Sequence, residues 1–371
     1  MIWNWQQTKW PEFTWEAERL HRAEILFAEG CGLMVGTSRH LVDKDRDTLV
    51  VDLMSREALG TSAIEGESLD RESVQSSIRR QLGLATSHRT SGPREAGIAE
   101  MLVHLYRHLA GPLDQETLFS WHRMVMNRGY GMEEVGCYRT HEEPMQIVSG
   151  PDYSRKIHYE APPSSRVSDE MDRFLDWFER TSSEGKNTLP VVTRAGIAHL
   201  WFESIHPFED GNGRIGRAIA EKALAQGGSV PVLTGLATTL MKRRKEYYLA
   251  LEQANQHLEI TDWLLWFSAA VIEAQKQSLS LVEFLIKKAQ LLDRLRGTIN
   301  TRQEKVLLRM FQEGPEGFAG GLSAGNYMSI TRTSPASARR DLISLVEKKA
   351  LSRTGERKGT RYHLNFLGEL L

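Results

Sequence analysis

Residues 191–226 read VVTRAGIAHLWFESIHPFEDGNGRIGRAIAEKALAQ, and their pattern predicts two core helices joined by a polar loop. Its first part, residues 191–205, is apolar around most of its surface at helical spacing, which predicts a buried helix. Its last part, residues 214–226, predicts a second helix that ends at Gly227-Gly228, where glycine favours a C-cap. The polar loop between the two is therefore expected to be held rigidly by core helices.

The loop and the start of the second helix carry groups that suit a polyphosphate. Gly211 and Gly213 can adopt the positive φ angles that turn several backbone N–H groups toward one point. Asn212 can cap the following helix, whose N-terminus is an anion site. Arg214 and Arg217 are three residues apart, so both guanidinium groups are expected on one helix face that suits phosphate oxygens.

Two further residues of the loop add metal and acid–base chemistry. Asp210 offers the hard oxygen ligand that Mg²⁺ accepts beside nucleotide phosphates. His206 has an ordinary pKa close to neutral, so it can take a proton from an attacking hydroxyl. A plain helix–loop–helix turn with a surface glycine pair is the alternative, and the coincidence of so many functional residue types at fixed spacing disfavours it.

Residues 206–217 match every defined position of the pattern H-x-F-x-D/E-G/A-N-G-R-x-x-R. The chain therefore resembles the Fic (filamentation-induced-by-cAMP) family over roughly residues 90–290, and the run differs from a P-loop because it lacks Gly-Lys-Ser/Thr. The resemblance implies transfer of AMP from ATP to a target hydroxyl, with His206 catalytic and Asp210 holding Mg²⁺. It also implies that ATP contacts the other motif residues, namely Phe208, Asp210, Gly211, Asn212, Gly213, Arg214 and Arg217.

A second motif lies upstream, where residues 61–66 read Thr-Ser-Ala-Ile-Glu-Gly. It is similar to the inhibitory motif S/T-x-x-x-E-G/N of the same family, which implies inhibitory roles for Thr61, Glu65 and Gly66. A Glu65 carboxylate that reaches Arg217 would form a bidentate pair and occupy the guanidinium that should hold the γ-phosphate of ATP. Glu65 would then also border the nucleotide site. An ordinary helix end with an exposed glutamate is the alternative.

Three residues downstream resemble the adenine side of the same family's site. Tyr247 and Tyr248 offer aromatic faces on which adenine stacks, and Asn255 offers an amide that can read the Watson–Crick edge of the base. Adjacent tyrosines on a helix cannot share a face, so core packing of one of them stays open.

Alternating residues in the stretch 145–159 predict a β-hairpin beside the active site. The family resemblance implies that such a flap binds the target segment as an added strand through main-chain pairing. Main-chain pairing reads little side-chain identity, so the stretch does not name the target. A plain surface hairpin is the alternative.

The last 75 or so residues have a different pattern. An amphipathic segment at 301–313 precedes a Gly-rich break, and Ser334-Pro335 then opens a second helix, with serine as N-cap and proline at the first helical position. Two short strands around a basic turn follow residue 351, and the whole resembles a winged helix-turn-helix domain. Residues 331–361 hold nine Lys/Arg against three Asp/Glu, a local charge of +6 that suits phosphate binding. Winged helices also serve as dimerisation or protein-docking modules, so this choice stays open.

Length and composition agree with a helical enzyme of two or three domains. The chain has 371 residues, a net charge of −1 and 40% hydrophobic residues, which supports a well-buried core. Two cysteines are too few for a disulfide framework, and neither a signal peptide nor a membrane-spanning run is recognised, so a cytoplasmic location without membrane association is expected. The predicted fold is mainly α: an N-terminal helical region (1–90) with the inhibitory helix, a Fic core with a β-hairpin flap (91–295), and a winged helix-turn-helix domain (296–371).

The sequence thus favours a protein adenylyltransferase that uses ATP and Mg²⁺, autoinhibited by Glu65, with Ser, Thr or Tyr hydroxyls of unidentified proteins as targets. Removal of AMP from a modified protein by the same residues is an alternative, because Glu65 could orient a water and His206 could act as an acid. Another alternative is a regulator that binds DNA through the winged helix and senses nucleotide without turnover. Self-modification and homodimer formation stay open as well.

Overall fold

The computed structural model of the chain describes residues 2–39, 41, 43–84, 91–126, 135–150, 155–227, 234–314, 317–318 and 320–366. The chain divides into two compact units, Met1–Gly36 with Val50–Ser278, and Thr37–Leu49 with Leu279–Leu371. The boundaries predicted at about residues 90 and 295 do not separate these units, and the three-part division stays a prediction.

Helices account for most of the described chain, which confirms the mainly α prediction. The helices are α1 (Ala17–Ser38), α2 (Asp43–Ile64), α3 (Arg71–Gln81), α4 (Pro93–Arg107), α5 (Gln115–Met126), α6 (Ser164–Arg180), α7 (Val191–Ile205), α8 (Asn212–Gln226), α9 (Leu236–Lys242), α10 (Arg244–Ala254), α11 (Thr261–Leu295), α12 (Thr301–Gln312), α13 (Ala324–Thr331) and α14 (Pro335–Glu347). Two antiparallel hairpins complete the fold, β1 (Gln146–Ser149) with β2 (Lys156–Glu160), and β3 (Leu351–Thr354) with β4 (Arg361–Leu364).

Helix α7 is the centre of the first unit, as its all-round apolar pattern predicts. Every residue from Val192 to Ile205 is buried. Small residues let its neighbours approach closely: a Cβ at Gly196 would lie 2.7 Å from a methyl group of Leu264 on α11. The Trp263 indole N–H also donates to the Gly196 carbonyl at 2.9 Å. The loop that follows α7 therefore starts from the most rigid part of the unit.

The helices around the loop differ from the sequence prediction in two places. Helix α8 begins at Asn212 rather than at Arg214. The helical spacing of residues 241–257 in the sequence predicts one helix, but the structure has two there, because Arg243 leaves the helical region at φ −110° and ψ 28° and separates α9 from α10. Both helices bury apolar residues at the same period, so the sequence pattern continues across the break.

The predicted flap is present as the β1–β2 hairpin, and its predicted residues 151–154 lie outside the described part of the chain. Its second strand is tied to α10, because Glu252 accepts from Lys156 at 2.9 Å and lies 2.8 Å from the His158 ring. Tyr159 is 1% exposed and donates to the Ser204 carbonyl at 2.7 Å. The flap is thereby fixed to both helices that border the site.

In the C-terminal part of the second unit, α12, α13 and α14 are followed by the β3–β4 hairpin. Ser334 caps α14 by accepting from the Ser337 N–H, and Pro335 is the first helical residue, which confirms the predicted helix start. Helix α13 was not predicted, because its Gly-rich approach hides the cap formed by Ser323. Asp341 on α14 accepts hydrogen bonds from Asn300 and Arg302 at the start of α12 and from Tyr327 on α13. The assignment as a winged helix stays a prediction.

Candidate active site

The predicted catalytic histidine ends α7 in a left-handed backbone conformation. His206 has φ 51° and ψ 60°, and its N–H donates to the Phe202 carbonyl at 3.0 Å. The buried Arg139 side chain fastens this turn, donating from Nε to the His206 carbonyl at 2.8 Å and from Nη2 to the Ile205 carbonyl at 3.3 Å. Those bonds offset a backbone cost of about 1–3 kcal/mol for a non-glycine residue in this region.

The ring of His206 is held as a neutral base. Its Nδ1 lies 3.3 Å from the Glu203 carbonyl, which can only accept, so Nδ1 carries the proton and Nε2 is the free acceptor. Burial lowers the pKa of His206 to about 4, and the Arg139 guanidinium contributes in the same direction. The pKa in the fold thus lies below the ordinary near-neutral value of histidine, and the ring is unprotonated at neutral pH, as a base requires.

The loop itself is closed by Asn212. Its side chain accepts from the Phe208 N–H at 2.9 Å and donates to the Phe208 carbonyl at 2.7 Å. The predicted cap role of Asn212 is wrong, because Gly211, at φ 81°, is the N-cap residue. Phe208 is 0% exposed and its ring stacks on the His122 ring at 4.2 Å, and its contact with a nucleotide stays a prediction. Both residues shape the loop.

Asp210 is the residue of the loop that is available to a metal. Its side chain is 58% exposed, accepts from the Gly211 N–H, and lies 3.6 Å from Arg214 Nη2. One carboxylate beside phosphate oxygens is a common Mg²⁺ arrangement, so Asp210 fits that ion although the described residues hold no cluster of three or more His, Cys, Asp or Glu for a metal. His104 on α4 and its C-cap residue His108 have the spacing of a metal-binding histidine pair, but the His104 Nδ1 already accepts from the Trp121 indole N–H at 3.0 Å.

Arg217 is bound by the upstream motif. The guanidinium is 1% exposed, and Nη2 donates to Glu65 Oε1 at 2.6 Å. Thr61 takes two further bonds, from Nε to its hydroxyl at 2.7 Å and from Nη2 to its carbonyl at 3.1 Å. The predicted contact between Glu65 and Arg217 is present, but as a single hydrogen bond rather than the predicted bidentate pair, because Thr61 accepts from Nε and also from Nη2.

The electrostatics of this pair favour the charged forms. Burial raises the pKa of Glu65, but the charge of Arg217 and its hydrogen bond outweigh that effect, so the net pKa is lowered. Gly213 makes the approach possible, since a Cβ there would lie 2.3 Å from Glu65 Oε1. Gly66 follows α2 with φ 83°, a conformation that suits glycine. Each of these residue types therefore has its own structural reason: a charge contact for Glu65, a positive φ angle for Gly66 and a close approach for Gly213.

Arg214 does not share the surroundings of Arg217. It is 3% exposed, lies 3.4 Å from Glu67 Oε1 and contacts the Met126 sulfur at 3.2 Å. It is absent from the residues that line the cavity described next. Arg217 lines the cavity and Arg214 does not, and the shared phosphate contact of the two arginines stays a prediction.

A cavity of about 800 Å³ opens beside these residues and extends from Arg217 to the flap. Of the three predicted adenine contacts that line it, Tyr248 is 42% exposed and donates to the Ile64 carbonyl at the end of α2 at 3.2 Å. Tyr247 is 1% exposed, with its hydroxyl 2.7 Å from His199, so it is the core member of the pair. Asn255 is 4% exposed and accepts from Ser204, so a ligand contact falls to its Nδ2 group.

Three site residues carried no recognisable sequence signal. Arg139 holds the His206 turn, and His122 supports the loop by lying 3.2 Å from the Asp210 carbonyl and stacking on Phe208. Glu203 lines the cavity one helical turn before His206. The spacing of three residues between Glu203 and His206 is the one signal that could have found any of them.

Comparisons with known proteins agree with this geometry. Residues 112–224 match the model of the Fic/DOC family, and residues 3–84 match a domain of unknown function, DUF4172. The chain is 34% identical over 24% of its length to the protein adenylyltransferase fic-1 of Caenorhabditis elegans, and 31% identical over 26% of its length to a probable protein adenylyltransferase of Aquifex aeolicus. These alignments span only 16% and 27% of the two relatives.

Solved structures show the same fold. A Fic family protein from Desulfovibrio desulfuricans is similar over 94% of this chain and 97% of its own, with a TM-score of 0.52 and 22% identity. Residues 134–508 of Fic-1 from C. elegans are similar over 72% of this chain and 74% of that one, with a TM-score of 0.50 and 20% identity. Within the described residues, no helix has the length and apolarity needed to cross a membrane. The chain carries a Fic/DOC domain over residues 112–224.

Proposed function

We propose that the chain is a protein adenylyltransferase that transfers AMP from ATP to a protein hydroxyl. The observation that carries the proposal is the neutral His206 ring, fixed with Nε2 free at the mouth of a cavity that also holds a buried arginine. A base, a cation for phosphate and a cavity of nucleotide size meet within one loop and helix. Relatives named protein adenylyltransferase support this reaction class.

The chemistry follows from the positions of the residues. The oxygen of the target hydroxyl attacks the α-phosphorus of ATP, and its proton passes to Nε2 of His206. The bond between the α-phosphorus and the bridging oxygen breaks, and pyrophosphate leaves with the electron pair. Once Glu65 is displaced, Arg217 would hold the terminal phosphate and the α8 N-terminus at Gly211–Gly213 would face the phosphates. Asp210 would hold Mg²⁺, which would supply neutralisation of phosphate charge.

The lowered pKa of His206 favours transfer over removal of AMP. Removal would need His206 as an acid, and a pKa of about 4 leaves few protonated rings at neutral pH. The forward reaction needs the unprotonated ring, which is the abundant form. We therefore assign AMP transfer as the main direction.

Autoinhibition by α2 is part of the proposal. Thr61 and Glu65 take the N–H groups of Arg217 that a γ-phosphate needs. Tyr248, on the adenine side, is bonded to the same helix end through Ile64. One helix end thus occupies both ends of the nucleotide site, and its displacement would free both.

The flap is proposed to bind the target segment as an added strand. Its side chains Ile147, Val148 and Ile157 are each about 40% exposed, at 40%, 41% and 44%, and the first two border the cavity. Exposed apolar side chains beside unpaired strand edges suit an extended peptide.

A second candidate function rests on the other unit. Arg332, Arg339 and Arg340 are exposed at and after the end of α13, and Arg353, Arg357 and Lys358 are exposed around the β3–β4 turn. This basic surface suits a DNA backbone. A gel shift on random duplex at several salt concentrations tests it, and binding that is weak and independent of salt would remove this candidate.

The test of the proposed function compares wild type and His206→Ala in two assays. Incorporation of label from α-labelled ATP into protein should fall by about 10²–10⁴-fold in His206→Ala, the usual contribution of a general base. Calorimetry with a non-hydrolysable ATP analogue should give similar affinities for both proteins. Transfer by the variant above a tenth of the wild-type rate would overturn the assignment of His206.

A further inference from the structure

Glu203 is a buried carboxyl group in the wall of the cavity with no explanation in the fold. It lies on α7 one turn before His206 and is 8% exposed. Its Oε1 is fully buried and has no hydrogen-bond partner among the described residues. Oε1 packs against Gly216 of α8, so the other carboxyl oxygen, Oε2, is the one on the cavity side. Buried polar groups nearly always have partners, so a carboxyl group without one in a cavity wall suggests a partner that arrives with the ligand.

The neighbours of Glu203 do not satisfy it. The nearest cation is Arg217 on α8, whose Nη2 is bonded to Glu65 of α2 instead. Tyr247 on α10 also faces it, but that hydroxyl is bonded to His199 on α7. The side chain lies against α8 where Gly216 leaves room, since a Cβ there would lie 2.3 Å from Glu203 Oε1.

Burial without a hydrogen-bond partner determines the charge of the Glu203 carboxyl group. A buried carboxylate without a hydrogen-bond partner costs several kcal/mol, so the neutral acid is favoured. Burial raises the pKa of Glu203 to about 8; the charge of Arg217 opposes this rise and the carboxylate of Glu65 adds to it. At neutral pH the group therefore offers an O–H donor rather than a negative charge.

We propose that Glu203 is a specificity-determining contact whose neutral carboxylic acid donates its O–H to a phosphate oxygen of the bound nucleotide. This inference rests on the proposed function, because it assumes that a nucleoside triphosphate occupies the cavity. The phosphate end is favoured over the nucleoside because Glu203 neighbours Arg217, the cation assigned to phosphate. An ionised Glu203 there would repel a polyanion, so only the acid form binds it well.

A titration of affinity against pH tests the contact on the full chain. The probe is the Mg²⁺ complex of α,β-methylene-ATP, and calorimetry gives its Kd between pH 6.5 and 9.5 for wild type and Glu203→Gln. Since one ionisation blocks binding, the wild-type Kd should be about tenfold weaker at pH 9 than at pH 7. The amide of Glu203→Gln cannot ionise, so its Kd should stay flat over this range.

Two controls separate the contact from general effects. Glu252→Gln removes a carboxyl that lines the same cavity but is bonded to Lys156 and has a lowered pKa, so it should keep the wild-type slope with pH. Adenosine, which lacks phosphate, should bind wild type with little dependence on pH. Wild type should also take up about half a proton per analogue bound at pH 8, measured in two buffers of different ionisation enthalpy, and this readout needs no variant.

The outcomes are distinguishable. If neither wild type nor Glu65→Gly, in which the inhibitory contact is removed, binds the analogue at neutral pH, the proposed function itself is wrong. If wild type binds but its Kd has the same pH dependence as that of Glu203→Gln, or no proton is taken up, the Glu203 contact is overturned. A pH dependence for adenosine equal to that for the analogue would also overturn the assignment to phosphate.

Discussion

Replacing Glu65 with glycine removes the carboxylate that holds Arg217 and should raise the rate of AMP transfer. The lost contact is one charge-assisted hydrogen bond of 2.6 Å to a guanidinium that is 1% exposed. Such bonds contribute about 1.5–3 kcal/mol, and we take the lower half because the Glu65 side chain is 30% exposed. At 1.36 kcal/mol per factor of ten, the competent population should rise about 10- to 50-fold.

The assay is the initial rate of α-label incorporation for wild type, Glu65→Gly, Arg217→Ala and the double variant. The double variant should be no more active than Arg217→Ala alone, because both changes act on one contact. Glu65→Gln is the matched control: it keeps an acceptor without the charge, so its rate should fall between wild type and Glu65→Gly. An unchanged or lower rate in Glu65→Gly would refute the inhibitory role and leave Glu65 as a helix end or a water-orienting residue.

Three further predictions concern the His206 base, the buried Glu203 and the basic surface of the second unit. In the Glu65→Gly background, the transfer rate should be flat from about pH 7 down to pH 5 and fall as His206 protonates near its pKa of about 4; a midpoint near 6.5 would contradict its burial. Glu203→Gln should raise the free energy of unfolding by about 1–4 kcal/mol at pH 8 and by little at pH 4. The reason is that the folded pKa of about 8 lies above the ordinary 4.5, so the stability that wild type loses to this group grows only between those two pH values. Equal gains at pH 4 and pH 8 in thermal unfolding would contradict this. Replacing Arg339 and Arg340 together with alanine should reduce both DNA affinity and its salt slope without changing AMP transfer, and unchanged gel shifts would exclude this surface.

The sequence predicted those features that depend on local pattern. Periodicity predicted the buried character of α7 and the hairpin flap, and cap chemistry predicted the helix start at Ser334 and Pro335. The approach of Glu65 to Arg217 was implied by the resemblance of its motif to that of the family. Each needs only residue types within a short stretch, or one pairing that the motifs specify. Such features are readable without knowledge of tertiary packing.

The features that were missed depend on tertiary packing. Phe208 and Asn212 have residue types that suit a ligand, but burial and two mutual hydrogen bonds assign them to the loop. The pKa of His206 is lowered by burial, which no local pattern reports. Arg139 and Glu203 are far from the motif or outside its defined positions, and only the folded chain brings them beside His206.

AMP transfer by this site is tested by the fate of the α- and γ-phosphates of ATP. Full-length Glu65→Gly is incubated with Mg²⁺ and ATP labelled either at the α- or at the γ-phosphate, and protein-bound label is counted with His206→Ala added to the same background as control. We predict label in protein from α-labelled ATP only, with the γ-label released as pyrophosphate, and none in the His206→Ala control. Label from γ-labelled ATP, or equal α-label in the control, would contradict AMP transfer by His206.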